Sequence, residues 1–492
     1  MRKELFILPR QLRLTFKPLS TVTAQRQFYN MATATHISLS TSDAGVFSHN
    51  PREDSAKRAS ELLQRDMKEH HIFFNEKRFH NHIVHHLLTL FSLGASPEEI
   101  QDAYDRGHSY QRTPYPVNDK VVHAIIEKSA FKDYLGKEEH YSNFLAFFQQ
   151  EISTKGVEET LREHVFAEDE HADDLLSRLF SGLIHPIIHL GFGIEFNQPA
   201  IIAEGLAEAA VHEGWTRPYL QGVEDAAGGV GSKPGKTIIE LLHELGKDEE
   251  ILSSVRYSDS SQMRDGILKR APEKMKHYAK QYNVSAETLN EQMIEMVNSI
   301  VYCAAASQHP PNVVKYEFIL MHAVNCSIFF SAILDRPWIS TRAKVRLLEW
   351  KGRMDLLLYA SRHCPPLNLD EITSYPITKS WDEIVRAGNT HQGDDGHVVK
   401  LIRAIAHGEE ITKPLEKQGK GKDLKIHGDA WLKAANMGPL FLSLFERHID
   451  RRLTILVFVG IAIDSTETSS PRWIFGSGFE EPWADIPQRA QL

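Results

Sequence analysis

Four imidazoles lie in seven residues at His80-Asn81-His82-Ile83-Val84-His85-His86, and the segment runs on as Leu87-Leu88-Thr89-Leu90-Phe91. Any fold of this chain must carry these rings into an apolar interior and find partners for their nitrogens, because buried polar groups are almost always hydrogen-bonded. Imidazole is the commonest protein ligand for transition metals, and on a helix His82 and His86 share a face one turn apart. His185 and His189, in His-Pro-Ile-Ile-His, repeat that spacing inside a second apolar run. The chain reads as able to hold a metal in its interior. The competing account is a set of hydrogen-bonded core histidines. With 26 His in 492 residues, roughly one or two His-x-x-x-His pairs arise by chance, so the clustering in apolar segments carries more weight than the spacing.

Composition narrows the class. A hydrophobic content of 42% with 25% charged residues is that of a globular protein with a real core. A formal net charge of −9 argues against nucleic acid or an anionic membrane as the main partner. Cys303, Cys326 and Cys364 are odd in number and show no Cys-x-x-Cys spacing, which suits a reducing compartment and a fold without a disulfide framework. The apolar run Leu453 to Ile463 is too short to span a bilayer. The expected protein is therefore cytoplasmic, with a small molecule as its partner.

Residues 1–31 read as an N-terminal extension to a single helical domain over 32–490. Arg2, Lys3, Arg10, Arg13, Lys17 and Arg26 face one acid, Glu4, in the manner of a mitochondrial presequence. The favoured alternative is a start codon placed too early, with Met31 as the real beginning.

The body reads as all-α, one large helical unit. Ser96-Pro97-Glu98-Glu99 is a capping box with proline at the first helical position, and Gly94 suits the left-handed cap of the histidine helix before it. Further helices are expected near 139–151, 172–190, 198–213, 237–246, 285–306, 312–334, 340–361, 380–388 and 396–407. Three motifs fail on inspection. Gly228 to Thr237 resembles a phosphate loop, but Val230 stands where its first glycine belongs. No Gly-x-Gly-x-x-Gly is present, which excludes a flavin or nicotinamide held in a dinucleotide fold. Glu168/His171 and Glu240/His243 match the Glu-x-x-His element of di-iron carboxylate proteins, at about the frequency expected by chance.

Lys351 stands in Leu347-Leu348-Glu349-Trp350-Lys351-Gly352-Arg353-Met354. An apolar setting disfavours the ammonium form, and a neutral amine adds carbon dioxide to give a carbamate, an anionic oxygen ligand. The residues alone leave two readings open: that carbamate, or a lysine that snorkels outward or pairs with Asp355 one turn on.

Several blocks resemble the questin oxidase family of fungi: His80 to Ala95, His185 to Glu195, Leu348-Glu349-Trp350-Lys351-Gly352-Arg353, Asp395 to Arg403, and Pro471 to Phe479. The resemblance covers about residues 32 to 490. It implies oxidative opening of an anthraquinone ring in aromatic polyketide metabolism, of Baeyer–Villiger type, with NADPH as reductant in some members. It also implies, in some members, a non-haem iron held by four histidines and a carboxylated lysine. Carried over residue by residue, those ligands are His82, His185, His322 and His397 with Lys351, of which His322 and Lys351 are the residues closest to catalysis. His85 or His86 is the alternative to His82, and His189 to His185. Phe318, Ile319, Cys326 and Phe329 share the helical face of His322. Phe73, Phe74, Phe192, Phe329 and Phe330 are expected to line a pocket for a planar polyphenol. Residues 438–460 depart from the family pattern and read as an insertion into a helix. The alternatives to an Fe(II) oxygenase are a di-iron carboxylate oxidase and a non-catalytic helical scaffold.

Overall fold

The computed structural model describes residues 31–231, 235–438 and 472–489. The N-terminal extension and nearly all of the expected insertion at 438–460 lie outside them. From Ala32 onward the chain forms one compact unit. Helices carry the fold, and among the described residues strand pairing is limited to isolated bridges such as Phe73 with His80. The all-α expectation holds. No single helix among the described residues is long and apolar enough to cross a membrane.

Six helices position the site: α1 (Ile83–Ser92), α2 (Ser181–Glu195), α3 (Pro199–Val211), α4 (Phe318–Leu334), α5 (Thr341–Ser361) and α6 (His397–Lys417). Helix α2 packs against α3 and α4, and α6 packs against α4 and α1. Helices α1 and α4 are apolar nearly all round, the pattern of a helix buried on every side rather than amphipathic. Gly205 on α3 permits one of these close approaches. A Cβ there would stand 2.7 Å from the backbone nitrogen of Leu190 on α2, so any larger residue would force the two helices apart.

Two local departures from the expected helices shape the site. The histidine helix begins later than the periodicity predicts. His82 is the residue before α1, with ψ near zero, and its carbonyl accepts the first helical bond from the His86 amide. His82 therefore reaches the interior from a turn rather than from the helix, although it and His86 line one cleft. The expected helix at 172–190 is broken in two, with a 96° bend between Glu170–Leu179 and α2. Gly182, Leu183 and Ile184 all stand in the left-handed region, with φ of 53°, 56° and 58°. Outside glycine that conformation costs roughly 1–2 kcal/mol per residue, and a β-branched residue such as Ile184 takes it rarely. Right-handed geometry resumes at His185, so Pro186 stands in a first turn, where its missing N–H is no loss.

Charge buried between helices locks them in register. Arg403 on α6 forks onto the Glu195 carboxylate at the end of α2, with Nη1 donating to Oε2 at 3.1 Å and Nη2 to Oε1. Its Nε donates to Ser92 Oγ at the end of α1, 2.9 Å away. One guanidinium thus ties together three of the helices around the histidines. Arg403→Ala should destabilise the protein by about 3–5 kcal/mol, because it leaves the Glu195 carboxylate buried and unpaired. Denaturant unfolding of the variant checks this, and a loss below about 1 kcal/mol would show that the fork is not what holds these helices.

Candidate metal centre

The four expected histidines arrive from separate parts of the chain and meet in the interior. His82 comes from the turn before α1, His185 from the start of α2, His322 from α4 and His397 from the first residue of α6. Their Nε2 atoms face inward in pairs, His82 to His185 at 2.9 Å and His397 to His322 at 3.1 Å. The pairs adjoin, with ring centroids 4.6 Å apart for His82 and His397 and 4.9 Å for His185 and His322. Metal–imidazole bonds are about 2.0–2.1 Å, so nitrogens at right angles about one ion stand roughly 2.9 Å apart. His82, His185 and His397 each offer a ligand atom within 4.8 Å of the other two, a spacing that admits a single ion, and His322 adjoins them through His397.

The outward nitrogens are fixed by acceptors, the arrangement that orients a ligating imidazole. His185 Nδ1 bonds the Gly182 carbonyl at 2.8 Å, and His322 Nδ1 the Phe318 carbonyl at 2.7 Å. His397 Nδ1 bonds Asp395 at 2.6 Å, and the other oxygen of that carboxylate lies 3.7 Å from His82 Nδ1. The strained turn at Gly182–Ile184 thus has a use, because it presents a backbone carbonyl to His185. Burial, reinforced by the neighbouring imidazoles and by Lys400, pushes His82, His185 and His322 well below the ordinary histidine value. They stand neutral, as ligands must.

The other histidines do different work. His86 lines a cleft of about 270 Å³ together with His82, Arg106, Tyr110, Gln392 and Asp395, so this cleft opens directly onto the centre. His85 stacks on Phe192, with centroids 5.1 Å apart. His189 turns away toward Glu204 and Glu208. The phenylalanines expected to line a pocket are absent from this cleft. Phe192, Phe329 and Phe330 are fully buried in the core, and Phe73 packs edge-on to His80 and His212. Phe74 packs against Tyr110 at its edge. The two Glu-x-x-His matches are likewise apart from the centre. Glu168 pairs with Arg342, and Glu240 caps its own helix at Thr237.

The structure does not bring Lys351 to the imidazoles. It is fully buried on α5, but its Nζ lies 2.5 Å from both oxygens of Asp355. That is the i, i+4 pairing the residues themselves left open. The lysine whose charge bears on His82, His85, His185 and His322 is Lys400, one turn after His397 on α6. Its side chain is buried, its Nζ has no hydrogen-bond partner, and burial draws it down to about 8 against the opposing pull of Asp395 and Asp394. Lys400 and Asp395 are the candidate site residues the sequence reading passed over. The signal was present in Asp395-Gly396-His397-Val398-Val399-Lys400, where spacings of two and three flank a ligand histidine.

Four buried imidazoles meeting beside a buried lysine without a hydrogen-bond partner, in an all-helical protein, form a candidate metal centre. The family model described as questin oxidase-like matches residues 79–405, and the chain belongs to that family. It is 36% identical over 465 residues to the Baeyer-Villiger oxidase ptaJ of Pestalotiopsis fici, covering 93% of this chain and 99% of that protein. It is 35% identical to the questin oxidase of Aspergillus terreus, covering 93% and 98%, and 37% identical to the Baeyer-Villiger monooxygenase dmxR6 of a Cryptosporiopsis species, covering 92% and 98%.

The two lysines should separate in experiment. Lys351→Ala strands the Asp355 carboxylate in the core, and breaking a buried pair this way costs about 3–5 kcal/mol. Its metal content should match wild type. Lys400→Ala removes an unpaired buried amine, so stability should hold while metal affinity falls at least tenfold. Denaturant unfolding and elemental analysis read both effects. The reverse pattern would return the liganding role to Lys351.

Proposed function

We propose that this protein is an oxidoreductase that opens the ring of an anthraquinone-type polyketide with O2 at one non-haem iron. His82, His185, His322 and His397 hold the ion, and Lys400, carboxylated on Nζ, supplies the fifth ligand. The observation that carries this reading is the meeting of four buried imidazoles in two adjoining Nε2 pairs. Relatives named Baeyer-Villiger oxidase and questin oxidase support the reaction class. Ferrous iron bound there supplies the redox centre at which O2 is activated.

The residues around it have separable tasks. Lys400 Nζ, drawn down to about 8 by burial, is in part the free amine near neutral pH. It adds CO2 with loss of one proton and becomes an anion, the one negative ligand among neutral imidazoles. Asp395 fixes the His397 ring through Nδ1 and stands at the edge of the cleft. Arg106 and Tyr110 line the same cleft. A guanidinium and a phenol there suit the carbonyl and phenolic oxygens of a hydroxyanthraquinone, whose flat face lies along Ile83 and Ala103.

The electron balance needs a reductant, which we assign to NADPH acting on the substrate. The quinone takes a hydride and a proton to become the hydroquinone. The hydroquinone and O2 then give the lactone and one water, as the aryl–carbonyl bond breaks and an aryl–oxygen bond forms. Hydrolysis of the lactone yields the ring-opened acid. This route asks for no dinucleotide motif in the chain.

Anaerobically purified protein should carry one iron at this centre, and it should consume O2 with a reduced hydroxyanthraquinone. His322→Ala should lose that iron while keeping wild-type helical content by circular dichroism, because the loss is local. Full iron retention in His322→Ala would refute the ligand set. An iron-loaded protein inert toward a panel of reduced anthraquinones would refute the reaction.

A further inference from the structure

A second group of metal-ligand atoms lies buried beside the first. His80 and His212 face each other through Nε2 at 2.8 Å, and Glu208 Oε1 lies 3.5 Å from His80 Nε2. One ligand atom from each of the three residues falls within 4.8 Å of the other two, and all three residues are buried. Glu208 and His212 sit four residues apart, on α3 and at its C-terminal cap, and so present one face. His80 enters from the chain before α1. Neither Glu208 oxygen has a hydrogen-bond partner, although the residue is 1% exposed. A carboxylate so deeply buried calls for a cation or a proton.

We propose that His80, Glu208 and His212 form a second metal site, distinct from the four-histidine centre, that takes a divalent transition metal. Two imidazoles and one carboxylate are the donor set of facial-triad iron and of catalytic zinc sites, with positions left for water. The 2.8 Å between the two Nε2 atoms matches the spacing of the His82–His185 pair, so one geometric criterion admits both sites.

The surroundings are built to the same purpose. His189 Nδ1 lies 3.4 Å from the second oxygen of Glu208, and its Nε2 lies 3.7 Å from Glu204. His189 thus stands between the two carboxylates behind the proposed ligand, within ion-pair distance of each. Burial and the nearby Arg78 and Arg178 push His212 down to about 3, which keeps it in the neutral form that ligates. Gly182 leaves the space open. A Cβ there would stand 2.5 Å from His212 Nε2 and 2.9 Å from His80 Nε2. The Gly182 carbonyl meanwhile holds His185 of the first centre. The His80 and His185 rings stack at 4.0 Å with only 6° between their planes, so the two sites share a wall.

The proposal stands on its own atoms and does not depend on the assignment of the four-histidine centre. Full-length protein stripped by chelator is titrated anaerobically with Co(II), followed by visible absorption and by elemental analysis after desalting. Wild type should retain two equivalents. His212→Ala should retain one, and Glu208→Gln should bind its second equivalent at least tenfold more weakly. His322→Ala should also retain one, in the other site. A wild type that retains a single equivalent, lost in His322→Ala, overturns the second site, as does unchanged stoichiometry in both His212→Ala and Glu208→Gln. A single equivalent that survives His322→Ala but not His212→Ala overturns the four-histidine centre and leaves this one standing. If either variant at the second site fails to fold, wild type and His322→Ala still decide between these outcomes.

Discussion

The centre depends on a cost that the protein meets by geometry: many polar and ionisable groups are taken out of water together. Each buried nitrogen without a partner would cost on the order of 1–3 kcal/mol. His185, His322 and His397 therefore turn their Nδ1 atoms to Gly182, Phe318 and Asp395. This leaves the Nε2 atoms no direction but inward. The inward pairing of the Nε2 atoms is the remainder of that satisfaction. It also explains the strained turn at Gly182–Ile184, whose cost is offset because the turn places a carbonyl where His185 needs one.

The same logic governs the helices behind the site. Helix α5 is buried around its whole circumference yet carries Arg346, Glu349, Lys351, Arg353 and Asp355. Arg346 pairs with Asp173 and Glu224, and Lys351 pairs with Asp355. These pairs yield little net stability over an apolar core, but losing either partner is expensive. They favour one register of α5 over its alternatives. Arg403 plays the same part nearer the metal centre, joining the ends of α1 and α2 to α6.

Much of this was legible in the chain. Apolar periodicity and the Ser96-Pro97-Glu98-Glu99 cap located the helices, and the four histidines chosen from the family resemblance lie in two adjoining pairs. The misreadings share a physical origin, since burial and periodicity say that a side chain is inside but not what it faces. Lys351 and Lys400 are both buried on apolar helices, and only the partner separates them. Asp355 lies four residues from Lys351, whereas Lys400 has no hydrogen-bond partner. His82 looked like a helix residue because nothing local marks it as the residue before the helix. The phenylalanines looked like a substrate pocket because an aromatic at helical spacing cannot be told from core. The three left-handed residues at 182–184 leave no trace in sequence beyond Gly182 and Pro186, which bracket them.

The position of the cleft bears on how a substrate would meet the metal. Of the four converging histidines only His82 lines it, with Asp395 at its edge, while His185 and His322 are enclosed by α2, α3 and α4. Through this cleft an approaching ring would come from the His82 and Asp395 side. The opposite side is closed by the His80–His185 stack and by the Glu208 and His212 cluster behind it. A planar substrate entering there would be held at one edge of the centre by polar groups on its own side. That asymmetry suits a reaction in which O2 and an electron-rich ring must meet while bulk water stays out.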